Sequence, residues 1–237
     1  MDTFELHVHY LCPYAQRALY VAAFKRLNPV IIEQTLANKS ETLYAVNPLG
    51  KVPAVKYSLN NQTFNLYESH QVCEFLDSFP GPSLYLQSNS PADLVSRPLI
   101  NQSILSEIDN FVSTFVPFWW SSPTDQEKIQ AQSVFRSINS RLDHGKFFLH
   151  KELGDVVTMA DVMLYPFIER MWALRDSYLS EMFVGSDPSN TWQWFHRMSE
   201  FEWIRRFRAP EKRLVKVIQL IKTNSYPGLD LPLSIYD

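Results

Sequence analysis

LCPYAQRALY, residues 11–20, joins two different patterns. Before it, Phe4, Leu6, Val8 and Tyr10 fall on one side of a period-two alternation, which is a strand. After it begins, Pro13 opens a run of helix-forming residues. Proline is favoured in the first turn of a helix, because the N–H it lacks would have no intrahelical acceptor there. Cys12 is thereby set at a strand-to-helix junction, beside the unpaired N–H groups and the positive end of the helix dipole. Those groups favour an anion, so the Cys12 thiol is expected to ionise below the ~8.5 of a free cysteine. A packed cysteine acting as a small hydrophobe fits the same position, and both readings stand at this point. Ala15 takes the place of the second cysteine of a dithiol motif, so a disulfide formed on Cys12 would need an external thiol to resolve it. The other cysteine of the chain, Cys73, falls in a different helix and reads as a packed residue.

Working outward, PVIIEQTL (29–36) is a second strand, and KVPAVKYS (51–58) and QTFNLYES (62–69) form a hairpin around a Leu-Asn-Asn turn. A helix follows from Ser69 to Asp77 and is stopped by FPGPS (79–83). Residues 1–83 therefore read β-α-β-α-β-β-α, a small α/β domain, with 84–93 as a linker. Residues 94–237 read as all-helical. In RPLINQSILSEIDNFVSTFVPFWW (97–120), Leu99, Leu105, Ile108, Phe111, Val112 and Phe115 lie about three or four apart. Four more helical patterns begin at Thr124, Thr158, Thr191 and Glu211, with Gly145 as the stop of the first of these. Thr158-x-x-Asp161 is a capping box, a folding element.

The totals narrow the class. With 237 residues and 46% apolar content, both regions can bury a core. A net charge of −3 argues against a nucleic-acid surface. Two cysteines make no disulfide framework, which fits a reducing compartment. MDTFELHVHY has no basic segment followed by a long apolar run, and no stretch reaches the ~18 apolar residues of a membrane span, so a cytoplasmic protein is expected.

Further markers lie in the first domain. In NPLGKVPAV (47–55), Pro48 and Gly50 mark a turn, and Pro53 interrupts a strand-like run, a place for an edge or a special backbone purpose. In LYESHQV (66–72), Ser69 can cap the helix, or Glu68 and Ser69 can receive the charged end of a ligand. His7 and His9 share a strand near Cys12, but no fourth ligand accompanies them, so no metal is expected. Arg205, Arg206, Arg208, Lys212 and Arg213 make a basic run that reads as a solvated face.

Taken in order, CPYAQR (12–17), NPLGKVP (47–53), LYES (66–69) and TMADVMLYPFIER (158–170) resemble the cytosolic glutathione transferases. The likeness is to the cysteine-type omega class above all, with lambda-like features. The resemblance implies a thioredoxin-like glutathione-binding domain followed by an all-α domain that forms the electrophile pocket. It implies that Cys12 is the nucleophile and forms a mixed disulfide with glutathione, the co-substrate. Val52 would pair its backbone with the cysteinyl unit, and Pro53 would be a cis proline. Glu68 and Ser69 would hold the γ-glutamyl end and Lys39 the glycyl carboxylate. Tyr14 replaces a phenylalanine beside the thiol. Trp119, Trp120 and Arg170 fall near the electrophile pocket, although the two tryptophans could equally be plain helix core and Arg170 a partner to Glu169 or another surface acid. The implied activities are thiol transfer and dehydroascorbate reduction on a small-molecule or protein-thiol acceptor, in a cytoplasmic homodimer that engages neither nucleic acid nor membrane. Two other classes share the fold and stay open here: a chloride-intracellular-channel-like protein and a non-enzymatic interaction module.

Overall fold

The alternating segment before Cys12 is a strand because its even positions are apolar and find a core. In the computed structural model, which describes residues 4–35, 38–86, 93–119, 121–176, 179 and 187–223, it is β1 (Phe4–Val8). Pro13 opens α1 (Pro13–Phe24), and β2 (Val30–Glu33) returns parallel to β1, with Leu6 opposite Ile31. A short α2 (Glu41–Val46) leads into the hairpin β3 (Ala54–Leu59) and β4 (Gln62–Tyr67). Its turn residues Asn60 and Asn61 both have positive φ, 49° and 62°. That is the conformation a two-residue hairpin loop demands and asparagine tolerates. The sheet order is β2-β1-β3-β4, with β3 antiparallel to both neighbours. Helix α3 (Ser69–Asp77) packs with α1 over the sheet. The succession β-α-β-α-β-β-α is thioredoxin-like, as the sequence predicts.

Every later element among the described residues is helical. The long pattern after residue 93 is α4 (Asp93–Ser103), one π-helical turn (Ile104–Ile108), α5 (Asp109–Phe115) and a 3₁₀ turn (Val116–Trp119). Here one apolar assignment changes. Leu105 is 63% exposed, and the buried stripe runs through Ile100, Ile104, Ile108, Phe111 and Phe115. Ile100, Ile104 and Ile108 take the four-residue spacing that a helix buries, and Leu105 falls beside that stripe.

Helix α6 (Asp125–Arg141) starts on a capping box in which Thr124 and Glu127 bond reciprocally. It stops before Gly145, which instead closes a 3₁₀ turn (Asp143–Gly145). Gly145 has φ +72°, and a Cβ there would stand 2.7 Å from Gln193 Cβ, so the turn lies against the next helical layer only because the residue is glycine. Helices α7 (His150–Leu153), α8 (Met159–Leu174), α9 (Ser189–Ser199), α10 (Glu202–Arg205) and α11 (Glu211–Lys222) complete the set. The short α7 and α10 are additions to the sequence prediction. At one turn each, they show no periodicity to read.

Helix α8 is buried on all sides apart from Trp172. Its apolar residues share one continuous core with β1, α1, α3 and α9, and Tyr165 meets Tyr20 of α1 edge-on at 5.6 Å. Most of the expected linker, residues 87–92, lies outside the described residues. Its start is held down: Leu84 N–H donates to Asp77 Oδ1 (3.0 Å) and Leu84 O accepts from Met159 N (3.0 Å). The start of α8 is thereby tied to the end of α3, and Pro166 removes one N–H from the α8 ladder.

Candidate functional site

Cys12 is the N-cap of α1. Its N–H donates to His9 O (2.9 Å), its carbonyl accepts from Gln16 N (2.9 Å), and its backbone is extended. The side chain therefore projects from the helix N-terminus into a cleft of about 480 Å³. Tyr14, Lys39, Val52, Pro53, Glu68 and Ser69 line the same cleft, although 57 residues separate Cys12 from Ser69 along the chain.

Each arrives there for a local reason. Asn47 Nδ2 donates to Lys51 O (2.8 Å) and Asn47 Oδ1 accepts from Leu49 N (3.0 Å), which folds the turn that presents Val52. Gly50 in that turn has φ +59°, and a Cβ would strike the Tyr44 ring at 2.5 Å. The Val52–Pro53 peptide is cis, and the Cys12 thiol donates a long bond to Val52 O (4.0 Å). The loop that carries Lys39 is tied by buried Gln34, whose Oε1 accepts from Ser40 Oγ (2.7 Å) and whose Nε2 meets His7 Nδ1 (3.1 Å). Glu68, between β4 and α3, has φ +70°, a left-handed value that costs a non-glycine residue about 1–3 kcal/mol. Glu68 is the N-cap of α3, with no side-chain cap bond, and Ser69 is the first helical residue. The Ser69 hydroxyl is thus not the cap that its position suggests. It accepts instead from Arg17 Nη1 (3.0 Å).

Arg17 is the residue that sequence reasoning missed. It is 3% exposed, yet it lines the cleft. Its Nε donates to Met163 O (3.0 Å), in the α8 turn before Pro166, and its guanidinium lies 4.8 Å from the Phe167 ring centre and 5.3 Å from that of Tyr14. Its Nη2 has no hydrogen-bond partner among the described residues. A buried guanidinium N–H with nothing to donate to is expensive, and a carboxylate entering the cleft would satisfy it. Asp109, at the start of α5, also lines the cleft and interacts favourably with the Arg17 charge. The signal was present: Arg17 is a charge directly before the apolar run ALYVAA (18–23).

The thiol itself differs from expectation. The Tyr14 and Ala15 N–H groups and the charges of Arg170 and Arg17 all favour the Cys12 thiolate. Burial against the cleft wall outweighs them and pushes the thiol above its ordinary value. Sequence reasoning weighed the helix end and not the desolvation, which only the packed structure fixes. Burial likewise pushes the Tyr14 phenol up, so it stays protonated at neutral pH. Cys73 is fully buried, and its thiol is pushed up strongly by desolvation.

Of the residues expected in the electrophile pocket, Trp119 and Arg170 do not line the Cys12 cleft. Trp119 is 6% exposed and stacks on Phe167, with ring centres 6.1 Å apart. Arg170 is 2% exposed and bonds to Leu11 O (2.8 Å) and Pro166 O (2.6 Å). Trp120 lies outside the described residues. Among the described residues, no three His, Cys, Asp or Glu side chains gather as a metal centre, and no helix is long and apolar enough to cross a membrane.

Residues 11–78 match the family model of the glutathione S-transferase N-terminal domain. A probable glutathione transferase of Aplysia californica is 35% identical over 75 residues, 31% of this chain and 77% of that protein. The chain belongs to the glutathione transferase family. Mouse glutathione S-transferase omega-1 is 29% identical over 165 residues; the match spans 69% of this chain and 65% of the mouse protein, just under two thirds of the latter. Among solved structures, glutathione transferase Omega 3C of Trametes versicolor superposes with a TM-score of 0.72 at 21% identity, over 96% of this chain and 93% of that one, and so shares the fold. In this glutathione transferase chain, the cleft is built on the matched N-terminal segment, and Asp109 of α5 adds to its lining.

Proposed function

We propose that this chain is a glutathione-dependent thiol transferase and reductase of the omega type, acting through Cys12. The observation that carries the reading is one cleft lined both by a free thiol, Cys12, and by a buried Arg17 guanidinium with an N–H that finds no acceptor among the described residues. Glutathione has a carboxylate at each end and an ammonium at one. Arg17, Lys39 and Lys51 offer the cleft positive charge, and Glu68 and Asp109 offer negative charge. In this reading Glu68, Ser69 and Arg17 take the γ-glutamyl end, Lys39 the glycyl carboxylate, and the Val52 backbone the cysteinyl unit. A cysteine, where a hydroxyl would only activate the glutathione sulfur, favours exchange over conjugation.

The Cys12 thiolate attacks the glutathione sulfur of a mixed disulfide. The old S–S bond breaks, the acceptor leaves as a thiolate and takes a proton, and Cys12 holds glutathione in a new disulfide. A second glutathione thiolate attacks that bond, releasing oxidised glutathione and the Cys12 thiolate. Reduction of dehydroascorbate consumes two free glutathiones, which leave joined as oxidised glutathione while their two electrons and two protons pass to the acceptor. The N–H groups of Tyr14 and Ala15 favour the anion at both steps, as attacking group and as leaving group. The proposed setting is a cytoplasmic homodimer, with the domain boundary near residue 84.

The test is glutathione-dependent reduction of a mixed disulfide and of dehydroascorbate by the purified chain, beside conjugation of a chloro-aromatic electrophile. Exchange should dominate. It should vanish in Cys12→Ala and survive nearly intact in Cys73→Ala. Exchange that persists without Cys12, or conjugation alone, would refute the reading.

A further inference from the structure

Glu169 and Arg170 are neighbours on α8, each 2% exposed, and they face the turn that carries Cys12. Arg170 Nη2 donates to Leu11 O (2.8 Å), the carbonyl immediately before the thiol residue. Its Nη1 donates to Pro166 O (2.6 Å) and lies 3.4 Å from Glu169 Oε2. The same Glu169 oxygen accepts from Gln16 Nε2 (3.4 Å), and Gln16 Nε2 also donates to Phe207 O (3.1 Å). Gln16 is the residue whose N–H binds Cys12 O. Helix α8 thus grips the first turn of α1 on both sides of the thiol, one residue before it and four residues after it.

We propose that Glu169 and Arg170 are positioning residues for Cys12, with Glu169 acting as a proton-controlled brake on the charge of Arg170. That charge favours the Cys12 thiolate. An ionised carboxyl at 3.4 Å cancels part of it, and a neutral one does not.

The groups that face Glu169 come from three places: Gln16 on α1; Arg170 and Tyr165 on α8; and the Arg208 guanidinium (3.8 Å) and Ala209 N–H on the segment after α10. The Tyr165 phenol is pushed well above its ordinary value by burial and adds no charge at neutral pH. Arg170 and Arg208 pull the Glu169 carboxyl down, but burial dominates and pushes it up to about 7. Both protonation forms of Glu169 are thereby accessible at neutral pH.

The assignment rests on Cys12 being the reacting thiol. Its test reads that thiol directly: the rate of iodoacetamide alkylation of the Cys12 peptide, by mass, across about pH 6–9.5. In the parent, the logarithm of the rate should rise with unit slope, flatten partly near pH 7 as Glu169 ionises and the rate falls about threefold behind, and then rise with unit slope again. Glu169→Gln should rise with unit slope throughout and alkylate about threefold faster than the parent above pH 8. Arg170→Gln should alkylate about threefold slower than the parent below pH 7. Arg208 is more than a third exposed, so Arg208→Gln spares the core and should move the flattening to higher pH. A purely structural role would change stability and leave the profile alone. The proposal is overturned if Glu169→Gln keeps the parent's profile, or if Arg208→Gln leaves the flattening where it was. Should Glu169→Gln not fold, the Arg208 variant decides alone. Failure of the exchange assay would remove the transferase reading and leave this profile as an independent result.

Discussion

At the scale of single residues, the proposed function divides the labour of the cleft between charge and sulfur. Glu68, Ser69 and Arg17 line the cleft together with Cys12. If the charged groups hold glutathione by its ends, removing one should weaken binding without touching the sulfur chemistry. A hydrogen bond to a charged group contributes roughly 1.5–3 kcal/mol. Glu68→Ala should therefore lose about 10- to 150-fold in glutathione affinity. Cys12→Ala leaves both ends of the ligand paired and should bind within about tenfold of the parent while turnover disappears. Titration calorimetry with glutathione on the two variants decides it; a Cys12 variant that loses affinity as badly as the Glu68 variant would mean that the jobs are not separate.

At the scale of elements, α8 carries both the fold and the site, and its start is the weak point. Asp161 is fully buried and accepts from Thr158 N (2.9 Å), Thr158 Oγ1 (3.0 Å), Phe148 N (2.9 Å) and Trp194 Nε1 (2.9 Å). The capping box that the sequence shows is thus half of its role; the other half ties α8 to α9 and to the segment before α7. Removing the carboxylate leaves several buried donors without an acceptor, at about 1–3 kcal/mol each. Asp161→Ala should lower stability by about 3 kcal/mol or more, against about 1 kcal/mol for Thr158→Ala, which removes the cap alone. Urea unfolding followed by circular dichroism measures both. Equal losses would reduce Asp161 to an ordinary cap.

At the scale of the whole molecule, the α/β layer and the helical layer meet across α1 and α8, and the buried carboxyl of Glu169 lies in that meeting. Burial raises its folded value from an ordinary 4.5 to about 7, so the neutral form is the one the fold prefers. The stability tied to that preference is fully present below 4.5 and is lost as pH rises through 7. Glu169→Gln cannot ionise. Its stability relative to the parent should therefore move in its favour between about pH 4.5 and 7 and level off above about pH 8. Unfolding midpoints of both proteins over that range give the answer, and a difference independent of pH would show that Glu169 titrates normally in the fold.

Much of this was legible in the chain itself. Phe4, Leu6 and Val8, the Asn60–Asn61 turn, Pro13 and the Thr158–Asp161 box each act within a few residues, and periodicity or capping chemistry decides them locally. The residues around the cleft were legible as well, because Cys12, Pro53, Glu68 and Ser69 stand at element junctions that their own sequence marks. Leu105, Arg17, Trp119, Arg170 and the Cys12 thiol were decided by the tertiary structure. Which face of a helix is buried, which guanidinium is left with a free donor, and whether desolvation outweighs a helix dipole all depend on what packs from far along the chain. Arg17 meets Met163, 146 residues away, and Arg170 meets Leu11 at a separation of 159. No local pattern encodes those meetings, and they set the charge around the thiol.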